Sequence, residues 1–153
     1  MSIHLRPAHS ADADAVAHIL ITARALFLPF APSPHSAADI RQWVAHTLLP
    51  GGGVTVALQD GRVAGVLALS FDGACHWLDQ LYLAPQLLGQ GVGRQLLQHA
   101  LAQCGRPLRL YCFAQNSRAR AFYERHGFVP LAFGDGSGNE EKCPDVLYEY
   151  RAA

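Results

Sequence analysis

Apolar positions along the chain follow two rhythms, and the switches between them predict the elements. Residues 3–6, ended by Pro7, read as a short strand. Ser10 stands as a helix N-cap, with Asp12 and Asp14 in the first turn, where negative charge suits the helix dipole. Val16, Ile19, Leu20 and Ala23 recur at helical spacing, so a first helix runs to about residue 26. Residues 27–35, F-L-P-F-A-P-S-P-H, carry three Pro and cannot continue it. This apolar loop either folds onto the body or lines a pocket. Ser36 and Asp39 form a capping pair for a second helix, with Ile40, Trp43, Val44, Thr47 and Leu48 as its inner stripe. Pro50 and the glycines 51–53 stop it.

The rhythm then changes to strands. Residues 54–58, 63–71 and 75–83 are three apolar runs separated by Asp60-Gly61 and Asp72-Gly73, which predicts an antiparallel meander. A third helix covers 91–103, with Val92, Leu96, Leu97 and Ala100 inward and Gly105 as its stop. A strand at 108–113 follows. A fourth helix begins near Asn116 or Ser117, carries Ala119, Phe122, Tyr123 and His126 on one stripe, and ends at Gly127. Residues 128–133 form a strand that tolerates Pro130 only at an edge or bulge. A turn-rich loop leads to the last strand, 145–151. The order β-α-α-β-β-β-α-β-α-β-β describes an α+β sandwich: a mixed, mostly antiparallel sheet of about seven strands with four helices. The 75–113 strand-helix-strand unit is the place for a parallel pair.

Composition narrows the class. A chain of 153 residues, half of them hydrophobic and 16% charged, suits one compact domain spanning 1–153. Twelve basic and twelve acidic residues cancel. Nucleic-acid binders usually carry a basic excess, so no nucleic-acid partner is expected. Near-zero charge favours self-association, which keeps a homodimer open. Cys75, Cys104, Cys112 and Cys143 show no zinc-ligand spacing, so no metal is expected. Free thiols, the lack of an apolar run at the N-terminus and the lack of a membrane-length apolar segment point to a cytoplasmic protein with no membrane partner.

The candidate chemistry centres on residues 77–97, where an apolar strand runs through Pro85 into G-Q-G-V-G-R and directly into a helix. Gly89, Gly91 and Gly93 bare the backbone at a helix N-terminus, where unpaired N–H groups and the dipole favour an anion. The Walker pattern is absent. The dinucleotide fingerprint fails because its third Gly comes one place early and the upstream strands are antiparallel. A phosphate loop and a Gly-rich turn without ligand both remain open at this point.

A second signature, N-S-R-A-R-A-F-Y-E-R-H-G-F at 116–128, accompanies L-Y-L-A-P…G-Q-G-V-G-R-Q-L-L. Together with the element order, these segments resemble the GNAT acyltransferases, which move an acyl group from coenzyme A to an amine. The resemblance implies acetyl-CoA as cofactor. It implies that Leu81, Tyr82 and Leu83, at the splayed end of the fourth strand, pair through their main chain with the pantetheine arm. Leu88, Gly89, Gln90, Gly91, Val92, Gly93 and Arg94 would wrap the pyrophosphate. Asn116 would bond the pantetheine or orient the neighbouring strand, and Ala119 and Phe122 would face the cofactor. Leu88 stands where the family commonly has Arg or Gln, so main-chain N–H groups would carry that contact.

Acyl transfer needs a proton taken from the amine and one given to the leaving thiolate. The resemblance implies Tyr123 as the acid; its helical stripe also allows plain core packing. Asp79, two residues before Leu81 on the strand, is the leading base. Glu140, Glu141, Asp145, His35 and His76 are alternatives, as is water. The late loop carries Asp135, Glu140, Glu141 and Asp145 against Lys142, which either draws a cationic amine or is a solvated charged loop. The implied function is an N-acetyltransferase that uses direct attack in a ternary complex on a small-molecule or peptide primary amine. The alternative is a non-catalytic acyl-CoA-binding module of the same fold.

Overall fold

The structure, a computed structural model, describes residues 2–151. Its elements are β1 (Ile3–Pro7), α1 (Ala13–Phe27), α2 (Ala37–Trp43), β2 (Val54–Gln59), β3 (Arg62–Phe71), β4 (His76–Leu83), α3 (Val92–Gln103), β5 (Leu108–Phe113), α4 (Ser117–Arg125), β6 (Phe128–Gly134) and β7 (Asp145–Tyr150). The strands form one sheet in the order β1-β2-β3-β4-β5-β7-β6. Every neighbouring pair is antiparallel except β4–β5. Class and element order agree with the sequence reading.

Local chemistry explains most boundaries. Asp60 and Gly61 both take positive φ, 51° and 84°, as a tight two-residue hairpin turn requires. Pro130 lies on β6, an edge strand, beside a register shift between Pro130 and Ala132, where its missing N–H costs no ladder bond.

Two helix starts differ from the expectation. Ser10 opens a short 3-10 turn, Ser10–Asp12, and does not cap α1. Asp12 holds the N-cap position of α1 without a side-chain capping bond; its carboxylate instead accepts the His9 backbone N–H at 2.9 Å and both Arg6 guanidinium nitrogens at 2.8 and 2.9 Å. Those bonds, Arg6 foremost, pull its pKa down to about 2. In α2 the Ser36 hydroxyl accepts from the Asp39 N–H at 3.1 Å, as its capping pair predicts. The helix then widens into a π turn, Val44–Leu48, closed by Leu49 N–H to Val44 O. The extra residue per turn rotates the expected stripe. Val44 is buried, but Trp43 keeps 40% of its surface.

Helices cover both sheet faces. Gln80 and Tyr82 of β4 share a cavity with Leu20 and Arg24 of α1. On the other face, Leu83 lies beside Leu96 of α3 around Gly65 and beside Phe122 of α4 around Gly93. Fully buried Val16, Val56, Val66, Leu67, Leu96 and Leu110 knit these layers into one core. The face of β5 and β7 that carries Tyr111 and Leu147 forms part of a cleft instead.

Candidate active site

The cleft begins where a strand pair gives way. β4 and β5 are paired only at His76–Leu108 and Trp77–Arg109. Beyond that point the strands diverge, so the β5-facing edge of β4 from Leu78 onward lacks a strand partner. β4 also bulges: Leu69 pairs with Leu78 but Ala68 with Gln80, which leaves Asp79 as the extra residue. A bulge bends its strand and re-aims side chains. The simple alternation that put Asp79 and Leu81 on one face is therefore interrupted, yet both line the opening.

The opening is a cleft of about 690 Å³ that reaches both sheet faces. Asn116, Ala119 and Tyr123 of α4 line one side. Tyr111, Leu147 and the 134–141 loop line the other. Asn116 caps α4, its Oδ1 accepting the Ala119 N–H at 3.2 Å. Tyr123 is buried among aromatic rings of Phe122, Phe128 and Tyr148. Its hydroxyl makes no hydrogen bond among the described residues, and burial raises its pKa, so it holds its proton at any physiological pH. α4 is pinned below it: Arg120 Nε donates to the Tyr148 hydroxyl at 3.0 Å, which donates to Glu124 at 2.5 Å.

Every charged side chain that lines the cleft is a carboxylate: Asp79, Asp135, Glu141 and Asp145. Partial desolvation raises the Asp79 pKa, and a hydrogen bond with Ser70 opposes the shift. Asp145 accepts from Asn139, and Asp135 accepts the Ser137 N–H, so both are partly spent on the loop. That loop needs Gly136, whose φ is 92° and whose added Cβ would lie 2.5 Å from the Cys143 backbone. Lys142 points to the Ser137 carbonyl and lines neither cavity.

The other base candidates separate. Glu141 sits in the cleft wall and pairs with Arg24. His35 meets Glu140 at 2.6 Å in a second cavity. His76 lies at the closed end of the β4–β5 pair, tilted against the Phe71 ring at 4.6 Å, and lines neither cavity. The apolar loop 27–35 does both things that its composition allowed. Leu28 and Ala31 are buried, Leu28 lines the cleft, and Ser33 and His35 line the second cavity.

Arg24, Cys112 and Tyr111 are among the wall residues that the sequence reading did not place in the site. Arg24 had a signal, an Arg four residues after Leu20 on the inward stripe of α1. Cys112 reads as a core strand position, and burial pushes its thiol up to about 11. Tyr111 alternates with buried Leu110 and Cys112 and gives no hint of its role.

The glycine loop sits at the α3 N-terminus. Gly89 and Gly91 have φ of 77° and 81°, and nothing lies within 4 Å of a Cβ added at either. Gly91 precedes Val92, the first residue of α3, and no side chain caps the helix. The first-turn N–H groups are therefore directed at open space, a cradle that fits a pyrophosphate. Gly93 differs: it is helical, and its α-carbon faces Phe122 and Leu83. The short turn Pro85–Leu87 buries Leu87 and leaves Leu88 extended, at φ −63° and ψ 139°.

The sequence model of the acetyltransferase (GNAT) family matches residues 20–128. The chain belongs to the GNAT acetyltransferase family. No curated protein sequence matches it. Solved structures share its fold from end to end. Apo YjaB from Escherichia coli is 23% identical with a TM-score of 0.78, covering 100% of both chains. The PaiA N-acetyltransferase from Thermoplasma acidophilum in complex with coenzyme A is 22% identical, TM-score 0.77, over 99% of this chain and 100% of that one. Histone acetyltransferase HPA2 and related acetyltransferase from Corynebacterium glutamicum is 24% identical, TM-score 0.76, over 100% and 98%.

Proposed function

We propose that residues 1–153 form one N-acetyltransferase domain that moves an acetyl group from acetyl-CoA to a primary amine by direct attack in a ternary complex. The observation that carries this reading is the cleft itself. It opens through the sheet where β4 leaves β5, with the Tyr123 hydroxyl, the Asp79 carboxylate and unpaired β4 backbone in one wall system. Family membership and a relative of the same fold in complex with coenzyme A support the choice of cofactor.

The parts divide as follows. The backbone N–H groups of Gly89 and of Gly91 to Arg94 hold the pyrophosphate, since those of Leu88 and Gln90 already donate to the Pro85 and Leu87 carbonyls, and the β4 edge at Leu81, Tyr82 and Leu83 receives the pantetheine arm as an added strand. Acetyl-CoA supplies the activated acyl group. Asp79 takes a proton from the incoming ammonium, and its raised pKa brings it closer to that task than a solvated carboxylate. Tyr123 offers its hydroxyl proton to the departing sulfur. With a pKa held so high, its contribution is a hydrogen bond that strengthens as charge grows there, more than full proton transfer. Cys112, at about 11, holds only about one thiolate in 10⁴ at neutral pH, which favours direct attack over an acyl-cysteine. The all-carboxylate lining draws a cation, as an amine is in solution.

The test is thiol release from acetyl-CoA in the presence of a panel of small-molecule and peptide amines. Amine-dependent release supports the reading. Coenzyme A binding with no release across the panel would leave a binding module in its place.

A further inference from the structure

The Tyr82 hydroxyl has no role in the steps above and no hydrogen bond among the described residues. Its side chain is half-buried on the α1 side of β4 and forms part of the cleft wall. Tyr123 reaches the same opening from α4, on the other face of the sheet. Burial raises the pKa of both hydroxyls, so both keep their protons. Arg24 opposes that shift at Tyr82 and Glu141 reinforces it; Cys112 of β5 pushes each hydroxyl further up, and Tyr82 does the same to Tyr123. Side chains from β4, β5 and α4 thus meet at the gap where the two strands part. Attack on a thioester puts negative charge on the carbonyl oxygen, and a cleft whose charged lining is all carboxylate disfavours that charge unless a donor meets it. The other donors of the wall are engaged elsewhere. The Cys112 thiol donates to Phe113 O at 3.6 Å, and Asn139 donates to Cys143 O and to Asp145. Asn116 is held at the head of α4 by its bond from the Ala119 N–H. Tyr111 keeps 62% of its surface exposed, so water competes for its hydroxyl. Tyr123 is matched to the sulfur, which leaves the protonated hydroxyl of Tyr82.

We propose that Tyr82 is a further catalytic residue, whose hydroxyl donates a hydrogen bond to the thioester oxygen and stabilises the charge that grows there during attack. The amine nitrogen gives one proton to Asp79, its lone pair forms the C–N bond, and the carbonyl π pair moves onto the oxygen held by Tyr82. That pair then returns, the C–S bond breaks, and the electron pair of the broken bond leaves on sulfur beside Tyr123. The second nitrogen proton ends on that sulfur as the thiol. The two tyrosines take the two developing charges from opposite faces of the sheet. The inference rests on the amine-acceptor reading above.

The experiment binds acetyl-CoA with an isotope-labelled carbonyl to wild type and to Tyr82→Phe, without acceptor, and reads the carbonyl stretch by isotope-edited infrared spectroscopy. Steady-state kinetics, coenzyme A affinity and thermal melting are measured alongside. A hydrogen bond weakens the C=O bond, so the stretch should lie at higher frequency in Tyr82→Phe. A fluorotyrosine at position 82, a stronger donor of nearly the same shape, should move it lower and keeps the test open should Tyr82→Phe not fold. In Tyr82→Phe kcat should fall about a hundredfold, with both KM values and coenzyme A affinity unchanged. The melting temperature should also hold, because the hydroxyl bonds nothing in the protein. A stretch that moves in neither variant overturns the inference and leaves acetyl transfer intact. A loss confined to the KM of the acceptor also overturns it, because Tyr82 would then serve binding alone. A raised stretch in Tyr82→Phe, with no amine turned over by wild type, upholds the contact and removes the catalytic reading.

Discussion

Arg24 of α1 and Glu141 of the late loop, 117 residues apart in the chain, meet in an ion pair at the wall common to both cavities. Both side chains are mostly buried, at 21% and 14% exposure. Arg24 also donates to Ala31 O at 3.2 Å, tying in the Pro-rich loop. Removing one partner strands the other charge, so Glu141→Gln and Arg24→Met should each cost about 2 kcal/mol in urea unfolding. The double variant, Arg24→Met with Glu141→Met, should lose less than the sum of the two.

Asp12 gives a pH prediction with a definite sign. Its folded pKa is about 2 against an ordinary 3.8, and its side chain is 7% exposed. A depressed carboxylate contributes stability above its unfolded pKa and loses it as pH falls toward the folded one. The contribution is about 2 kcal/mol. The stability gap between wild type and Asp12→Asn should be full at pH 6 and close between roughly pH 4 and pH 2. A gap constant over that range would show that the Arg6 contact does not govern the carboxyl.

Gly91→Val tests the cradle. Its φ of 81° costs a branched residue about 1–3 kcal/mol, and the side chain would fill the space before α3. Calorimetric titration with coenzyme A should show binding lost in a protein that remains folded.

Tyr123→Phe and Asp79→Asn separate the two proton roles. Tyr123→Phe should lower kcat about ten- to hundredfold, the low end for general-acid work because a thiolate leaves readily. In wild type, kcat/KM should fall as pH drops through the raised Asp79 pKa, and Asp79→Asn should abolish that acidic limb. No basic limb from Tyr123 should be seen up to about pH 10. An acidic limb that persists in Asp79→Asn would transfer the base role to another group or to water.

Much of this architecture is legible in the amino-acid sequence. Asp60-Gly61, the Ser36 cap, the Pro130 edge and the α3 glycines each encode a backbone demand in a few adjacent residues. The site was less legible where it depends on meetings across the chain. Arg24–Glu141 and His35–Glu140 join segments more than 100 residues apart, and no local pattern announces them. The Asp79 bulge appears only in the pairing register. Trp43 misled for a local reason, because a π turn after it re-phases a stripe that assumed 3.6 residues per turn.

The two-pair join between β4 and β5 has a mechanical meaning. The sheet is two plates, β1 to β4 and β5-β7-β6, held along one short seam. The seam is the poorest in hydrogen bonds, and it is also where the proposed chemistry takes place. A ligand laid along the β4 edge would act as the missing rung. Its binding energy would then appear as cohesion of the whole molecule, with the melting temperature rising with ligand concentration and amide protection spreading outward from Leu81 and Cys112.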